Sequence, residues 1–322
     1  MSKDVILVLA TPGAPQLTWL EPLRRQAEIV VGNSAEDFSK AACGATVIFN
    51  WSGSLPLLRK VFLMSPKLRW VHSFAAGVDR TLFPELVASP VPLTNGTGVF
   101  SASLGEFTLG AILYFAKDFR RMVRNQMAGV WEQFDIIPIE GQTVGIVGYG
   151  DIGRAVASRV KAMGMRVLAV RRHVPRDSRD DYAEEIFAPE QLVAVLPRCD
   201  YIAVTAPLTP ETRGMLGERE FAAMRKTAVV INVGRGPVID ERALIAALSE
   251  RRIKGAALDV FDEEPLPAGH PFYRLENVLL SPHCADHTPD WMDNAMKFFL
   301  DQYARFRKGE PLLNIVDKRL GY

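Results

Sequence analysis

Short apolar runs, nearly free of charge, recur along the chain and alternate with longer stretches of mixed polarity. In the first hundred residues they fall at 5–9, 28–31, 46–49, 70–73 and 91–94, separated by helical stretches such as 16–26. From residue 141 the alternation returns, at 143–147, 166–170, 201–205, 228–232, 255–258 and 278–280. Strands alternating with helices predict parallel sheets, and six strands in the second block suit a doubly wound α/β fold. Two long helical stretches, 100–123 and 289–308, lie at the borders of that block. The second carries apolar Trp291, Met292, Ala295, Met296, Phe299 and Leu300. Read as helices crossing between domains, they send the end of the chain back to the first domain. The expected division is therefore 1–99 with 286–322, discontinuous, and 100–285. Residues 171–185 are polar and are expected to form a surface loop.

The second block opens on Gly148-x-Gly150-x-x-Gly153, which follows the strand 143–147 and begins a helical stretch, 152–163. There Ala155, Val156, Arg159 and Val160 keep a 3.6-residue period. Glycines at this spacing make a tight turn, let a pyrophosphate approach the main chain, and pack helix on strand. The phosphates would sit at the positive end of the helix. A bare tight turn is the alternative, and the flanking strands decide for a dinucleotide turn.

Composition permits this reading. The chain has 322 residues, 48% of them hydrophobic and 23% charged, enough for two domains that each bury a core. Its net charge of +1, with no basic stripe or acidic tail, argues against nucleic acid or a membrane surface as partner. No signal peptide or membrane span is expected, which makes a cytoplasmic location the expectation. Cys43, Cys199 and Cys284 lack paired spacing, so neither disulfides nor a zinc site is indicated.

Six motifs carry a resemblance over nearly the whole chain. They are Phe74-Ala-Ala-Gly-Val-Asp79, Val147-Gly-Tyr-Gly-Asp-Ile-Gly153, Pro207-Leu-Thr-Pro-Glu-Thr212, Ile231-Asn-Val-Gly-Arg-Gly-Pro237, Leu258-Asp-Val-Phe-Asp-Glu-Glu-Pro265 and Ser281-Pro-His283. In order and spacing they resemble the D-2-hydroxyacid dehydrogenases, which include glyoxylate and hydroxypyruvate reductases and phosphoglycerate dehydrogenase. The resemblance implies a dinucleotide-binding Rossmann domain, a smaller flavodoxin-like α/β substrate domain, and a homodimer. The added regulatory domain of some phosphoglycerate dehydrogenases is not expected after Tyr322.

Reducing a 2-keto acid requires a hydride donor, a proton donor at the carbonyl oxygen, and a cation that holds the carboxylate. Arg235 lies just after an apolar strand, at the carboxyl edge where ligands bind in such folds, and its planar fork suits a carboxylate. His283 follows the strand 278–280 and is the side chain most easily set for proton exchange near neutral pH. Glu264 follows Asp259 at another strand end and, by the family pattern, orients the ring and favours imidazolium. Locally, Asp262-Glu-Glu264 reads equally as a solvated acidic turn. The resemblance places Ala76 and Gly77 against the substrate carboxylate. It assigns Gly148, Gly150, Asp151, Ile152, Gly153, Thr205, Pro207, Thr212, Val233, Gly234, Asp259, His283 and Ala285 to the cofactor. Asp259 would accept a hydrogen bond from the nicotinamide amide, or else cap its own turn. Trp51, Trp131 and Trp291 are expected in cores by default, with a pocket or interface as the alternative.

Two positions depart from the usual pattern. An acidic residue for the ribose 2′-hydroxyl is expected about 20 positions past the glycines, and this chain has Val170-Arg-Arg-His173 instead. Arg171 and Arg172 could hold a 2′-phosphate, which makes NADP(H) the expected cofactor with NAD(H) as the alternative. The second departure is His283-Cys-Ala-Asp-His287, where many relatives carry small residues. The expected activity is reduction of a small 2-keto acid, such as glyoxylate or hydroxypyruvate, to the D-2-hydroxy acid. A formate dehydrogenase would pair its histidine with glutamine where Glu264 stands, and a dinucleotide-sensing corepressor would bind cofactor without turnover.

Overall fold

The apolar runs become strands of two parallel sheets. The computed structural model describes residues 3–174 and 180–322; residues 175–179, part of the expected surface loop, lie outside the described residues. The chain divides into two units, 1–100 with 288–322 and 101–287.

In the first unit β1 (Asp4–Leu9), β2 (Ala27–Gly32), β3 (Val47–Asn50), β4 (Trp70–Ser73) and β5 (Leu93–Thr94) lie in the order β2-β1-β3-β4-β5, each pair parallel. This is the flavodoxin-like order. Both β3 and β4 are buried along their whole length and contain no Asp, Glu, Lys or Arg, although Asn50, His72 and Ser73 are polar. Ser54 caps the helix Leu55–Leu63, its hydroxyl accepting from the Leu57 N–H at 3.4 Å. The segment Pro15–Arg25 is a 3₁₀ helix, with Pro22 inside it removing a backbone donor. From the end of the chain, the helix Trp291–Lys308 stacks Phe299 on Phe49 at 4.0 Å. The tail beyond it returns to β5, where the Val316 N–H donates to the Leu93 carbonyl at 2.8 Å. Lys318 donates to the carbonyls of Leu86, Ser89 and Val91, and burial lowers its pKa.

The second unit holds β6 (Thr143–Val147), β7 (Arg166–Val170), β8 (Glu185–Phe187), β9 (Tyr201–Val204), β10 (Val229–Asn232), β11 (Gly255–Leu258) and β12 (Val278–Leu280). Their order is β12-β11-β10-β9-β6-β7-β8, the doubly wound arrangement with one further strand. The sequence predicts six strands here. The seventh, β8, is a three-residue edge strand that is nowhere fully buried, so it lacks the apolar run that marks its neighbours. Between β6 and β9 the winding reverses, leaving a crevice at their carboxyl ends.

The single helix predicted at 100–123 is two helices, Ser101–Ala116 and Phe119–Ala128. They break at Asp118, which sits in the left-handed region (φ 51°) and accepts from the Arg121 N–H. Leu104, Ile112 and Phe115 of the first helix are buried inside the unit. Gly105 lies so near the helix Asp151–Ala162 that a Cβ there would be 2.9 Å from the Ala155 carbonyl oxygen. Trp131, expected in a core, is 95% exposed. Trp51 and Trp291 instead stack within the first unit at 6.4 Å. Among the described residues no helix is long and apolar enough to cross a membrane, and no His, Cys, Asp and Glu cluster could hold a metal.

His72 in β4 is fully buried among the rings of Phe49, Trp70, Phe298 and Phe299. Its Nδ1 is 2.7 Å from the Thr94 hydroxyl, which also accepts from the Trp70 indole, while its Nε2 is buried without a partner. Burial pushes its pKa down from 6.5 to about 3. A base whose pKa is depressed by folding contributes stability above its unfolded value, and loses it as falling pH protonates the unfolded chain. Urea midpoints of the parent should therefore fall between about pH 6.5 and 4, and His72→Phe should fall less over that range. Equal slopes for the two proteins would remove His72 from the acid sensitivity.

Candidate active site

Six strand ends of the second unit, those of β6, β7, β9, β10, β11 and β12, supply most of the residues. Where β6 meets the helix Asp151–Ala162, the three glycines differ physically. A Cβ on Gly148 (φ 99°) would lie 2.4 Å from the Ala206 backbone, and one on Gly153 would be 2.6 Å from the Gly148 carbonyl oxygen. One on Gly150 meets nothing within 4 Å. The first and third glycines thus close the turn, and the second leaves its outer side open to a ligand. Asp151 and Ile152 begin the helix, whose first N–H groups lack partners in their own turn. Asp151 accepts from the Ser101 hydroxyl.

Thr205, just past β9, donates to the Gly148 carbonyl at 2.6 Å. Beyond it, the Thr212 hydroxyl donates to the Pro207 carbonyl at 2.6 Å and fixes that turn. The Val233 N–H donates to the Val204 carbonyl at 3.1 Å. A Cβ on Gly234 would sit 2.8 Å from the Ala206 carbonyl oxygen. The exits of β9 and β10 therefore run main chain against main chain.

Arg235 stands on a turn built by Asn232, the last residue of β10. The buried Asn232 amide accepts from the Gly234 N–H at 3.1 Å and donates to the Arg235 carbonyl at 3.0 Å. Next to it, Gly236 lies so close to the Phe261–Asp262 backbone that a Cβ would be 2.0 Å from the Phe261 carbonyl carbon. This contact ties the Arg235 turn to the loop that follows β11. In that loop Glu264 accepts from the Phe261 N–H at 3.0 Å through Oε1 and meets His283 Nδ1 at 2.8 Å through Oε2. A carboxylate only accepts, so Nδ1 carries the proton on that side and Nε2 is the ring nitrogen left for a ligand.

His283 itself has φ 52°, a left-handed backbone that costs energy and recurs at functional positions. The loop around it is held by Asp259 at the end of β11. Its buried Oδ1 accepts from the Ser281 hydroxyl, the Cys284 N–H at 2.9 Å and the Ala285 N–H at 3.1 Å. The Ala285 carbonyl in turn accepts from the Ser103 hydroxyl at 2.6 Å. Asp259 thus anchors the His283 loop, reaching well beyond its own turn. Asn232, Ser281 and Ser103 are structural partners that the sequence reading did not single out. Two of them stand inside quoted motifs, whereas Ser103 carries no local signal.

Beyond β7, Arg172 is 3.1 Å from Glu211, so an acid from the turn after β9 reaches a region where neighbouring sequence shows none. Arg171 donates its backbone N–H to the Phe187 carbonyl at 3.0 Å. In the first unit, Ala76 and Gly77 follow β4, and the Asn95 side chain donates to the Ala76 carbonyl at 2.6 Å.

The family model for the "D-isomer specific 2-hydroxyacid dehydrogenase, NAD binding domain" matches residues 109–285. The chain is 33% identical to a glyoxylate reductase from Korarchaeum cryptofilum over 277 residues, 82% of this chain and 81% of that one. This chain belongs to the D-2-hydroxyacid dehydrogenase family. It is an NAD(P)-dependent oxidoreductase. A D-3-phosphoglycerate dehydrogenase from Methanocaldococcus jannaschii is 31% identical over 91% of this chain, which spans 55% of that longer protein. A D-isomer specific 2-hydroxyacid dehydrogenase from Xanthobacter autotrophicus, solved with NADPH and MES, has 30% identity and a TM-score of 0.85, covering both chains fully. The open side of Gly150 and the free N–H groups of the following helix fit a nicotinamide dinucleotide in this dehydrogenase.

Proposed function

We propose that the dehydrogenase reduces a small 2-keto acid, with glyoxylate or hydroxypyruvate as the first candidates, to the D-2-hydroxy acid, and prefers NADPH. The observation that carries the chemistry is the 2.8 Å pairing of Glu264 with His283 Nδ1, beside the turn that presents Arg235. A bound reduced nicotinamide supplies the hydride for the carbonyl carbon. As the hydride forms the new C–H bond and the carbonyl π pair moves to oxygen, His283 donates the Nε2 proton to that oxygen and leaves as neutral imidazole, completing the alcohol. Glu264 stabilises the imidazolium before transfer and fixes the ring. Arg235 holds the substrate carboxylate and polarises the adjacent carbonyl; the family resemblance gives Ala76 and Gly77 of the first unit a role toward substrate as well. Asp259, Thr205, Pro207, Thr212, Val233, Gly234 and Ala285 line the nicotinamide side. The glyoxylate/hydroxypyruvate reductase from Sinorhizobium meliloti, solved with NADP and sulfate, is 26% identical with a TM-score of 0.83, which supports this substrate class. Glu264, where a formate dehydrogenase has glutamine, argues against that enzyme. Turnover on a keto-acid panel separates the reductase from a cofactor-sensing protein, and a cytoplasmic location accompanies this reading.

His283→Asn should keep NADPH binding while kcat falls by about a hundredfold or more, the scale of a positioned general acid. Near-normal turnover would remove the assignment. Glu264→Gln withdraws the charge that favours imidazolium, so the alkaline limb of the reductase profile should move to lower pH. A limb that stays in place contradicts the pairing.

For the cofactor, Arg171 and Arg172 replace the acid that repels a 2′-phosphate. Charge-assisted hydrogen bonds of about 1.5–3 kcal/mol give about ten- to a hundredfold discrimination. Because Arg172 also faces Glu211, Arg171 should carry more of it. Arg171→Asp should reverse the preference toward NADH, chiefly through KM for NADPH, since the phosphate is remote from the reacting carbon. A parent with the lower KM for NADH would sink this assignment.

The homodimer is expected to use the exposed apolar surface of the helix Phe119–Ala128 and the chain that follows it. With much of the first helix covered, exposed apolar side chains gather at Phe119, Met122, Val123, Met127, Val130, Trp131, Ile136 and Ile137. They form one contiguous stretch of chain suited to a two-fold partner. Light scattering should give twice the chain mass of 35.7 kDa; the single-chain mass at micromolar concentration would count against it.

A further inference from the structure

In the first unit, the loop that leaves β4 turns three successive carbonyls the same way. The Phe74 carbonyl oxygen packs on Gly96, where a Cβ would lie 2.1 Å from it. The Ala75 carbonyl accepts from the Gly96 N–H at 3.1 Å, and the Ala76 carbonyl accepts from the Asn95 side-chain amide at 2.6 Å. In a trans peptide the N–H points opposite to the carbonyl of the residue before it, and none of these bonds is cis. The N–H groups of Ala75, Ala76 and Gly77 therefore point away from Asn95 and Gly96. Among the described residues none of the three has a hydrogen-bond acceptor.

Asn95 is itself held in place. It is buried, and its Oδ1 accepts from the Thr97 N–H at 3.3 Å, which turns Nδ2 toward Ala76. Its backbone N–H donates to the Asn314 carbonyl at 3.3 Å, while Asn314 Nδ2 donates to the carbonyls of Asn95 at 3.4 Å and Thr97 at 2.6 Å. Asn314 has a left-handed backbone, φ 54°, which asparagine adopts more readily than most residues. The tail is fixed on both sides of it. Leu313 exchanges two bonds with the buried Gln302 of the helix Trp291–Lys308, at 2.6 and 2.9 Å, and Val316 is bonded to β5.

We propose that Asn95, held by Asn314 of the tail, is a positioning residue for the substrate carboxylate. By fixing the Ala76 carbonyl it aims the Gly77 N–H, which belongs to the same peptide unit. The inference rests on the reading of this loop as a substrate loop. A backbone donor serves an anion best when its direction is set before binding. Gly77 has no Cβ to restrict its backbone, so the peptide that joins it to Ala76 needs an external hold. A neutral amide provides that hold without placing a second negative charge beside the carboxylate.

Asn95→Ala removes the donor, and Asn314→Gly removes the side chain behind it while keeping a backbone that glycine adopts freely. The KM and kcat for glyoxylate and hydroxypyruvate, the KM for NADPH and the melting temperature would be measured for the parent and both variants. The expected result is a keto-acid KM raised about tenfold in Asn95→Ala and about threefold in Asn314→Gly, with kcat changed less and the KM for NADPH unchanged. A keto-acid KM that stays at the parent's value, or rises only together with the KM for NADPH, overturns the positioning role whatever the melting temperature does, and leaves the reductase reading standing. A parent that reduces no 2-keto acid overturns both. If Asn95→Ala fails to fold, Asn314→Gly decides by the same split.

Discussion

The second unit depends on backbones that approach more closely than any side chain would allow. Around the carboxyl edge of its sheet, the β6 turn lies on Ala206, the Gly234 turn on the same residue, and the Gly236 turn on Phe261. Main chain has no rotamers to choose among, so these contacts fix the spacing of the loops before any functional side chain is considered. Arg235 lies between two such glycines, at the start of the 3₁₀ helix Gly236–Val238, which makes its turn a rigid mount. A methyl group at either glycine would push apart loops that come from different strands.

A second constraint is electrostatic. Two carboxylates hold loops in place by drawing backbone N–H groups and a hydroxyl onto one oxygen: Asp259 in the loop of His283, and Asp180 beside the glycine turn. A buried or half-buried carboxylate is tolerated only when such donors surround it. The donors that neutralise the charge are thereby pulled into a defined loop. For Asp259 this explains how His283 can keep a left-handed backbone, since the residues just before and after it are tied to the same acceptor. Glu264 works differently. It spends one oxygen on its own loop and the other on the histidine, so it links two strand ends rather than folding one.

The strands were legible because a parallel sheet covered on both faces favours uncharged residues at consecutive positions, and β3, β4 and β6, buried at every residue, contain no Asp, Glu, Lys or Arg. The edge strand β8 escaped because its outer side is solvated. The break at Asp118 escaped because apolar periodicity continues through a single left-handed residue, and only the backbone angle reveals it. The family and its chemistry were legible from short motifs whose residues are neighbours in sequence. What the motifs could not convey was pairing over distance. Ser103 reaches Ala285, Arg172 reaches Glu211, and Tyr149 reaches Asp180 across separations that no local pattern spans. Trp131 shows the reverse error, because residue type alone placed it in a core and the structure leaves it in solvent.

The anchoring of the His283 loop also bears on substrate choice. Because Cys284 and Ala285 are bonded through their backbone N–H groups, the side chains from 284 to 287 can vary without moving the histidine. This chain uses that freedom, placing Asp286 and His287 where many relatives have small residues. Burial raises the Asp286 pKa, and His287 lies 3.7 Å from its carboxylate. The loop therefore separates two tasks: main-chain bonds to Asp259 hold His283 in place, and the side chains beyond it set the polarity of the surroundings.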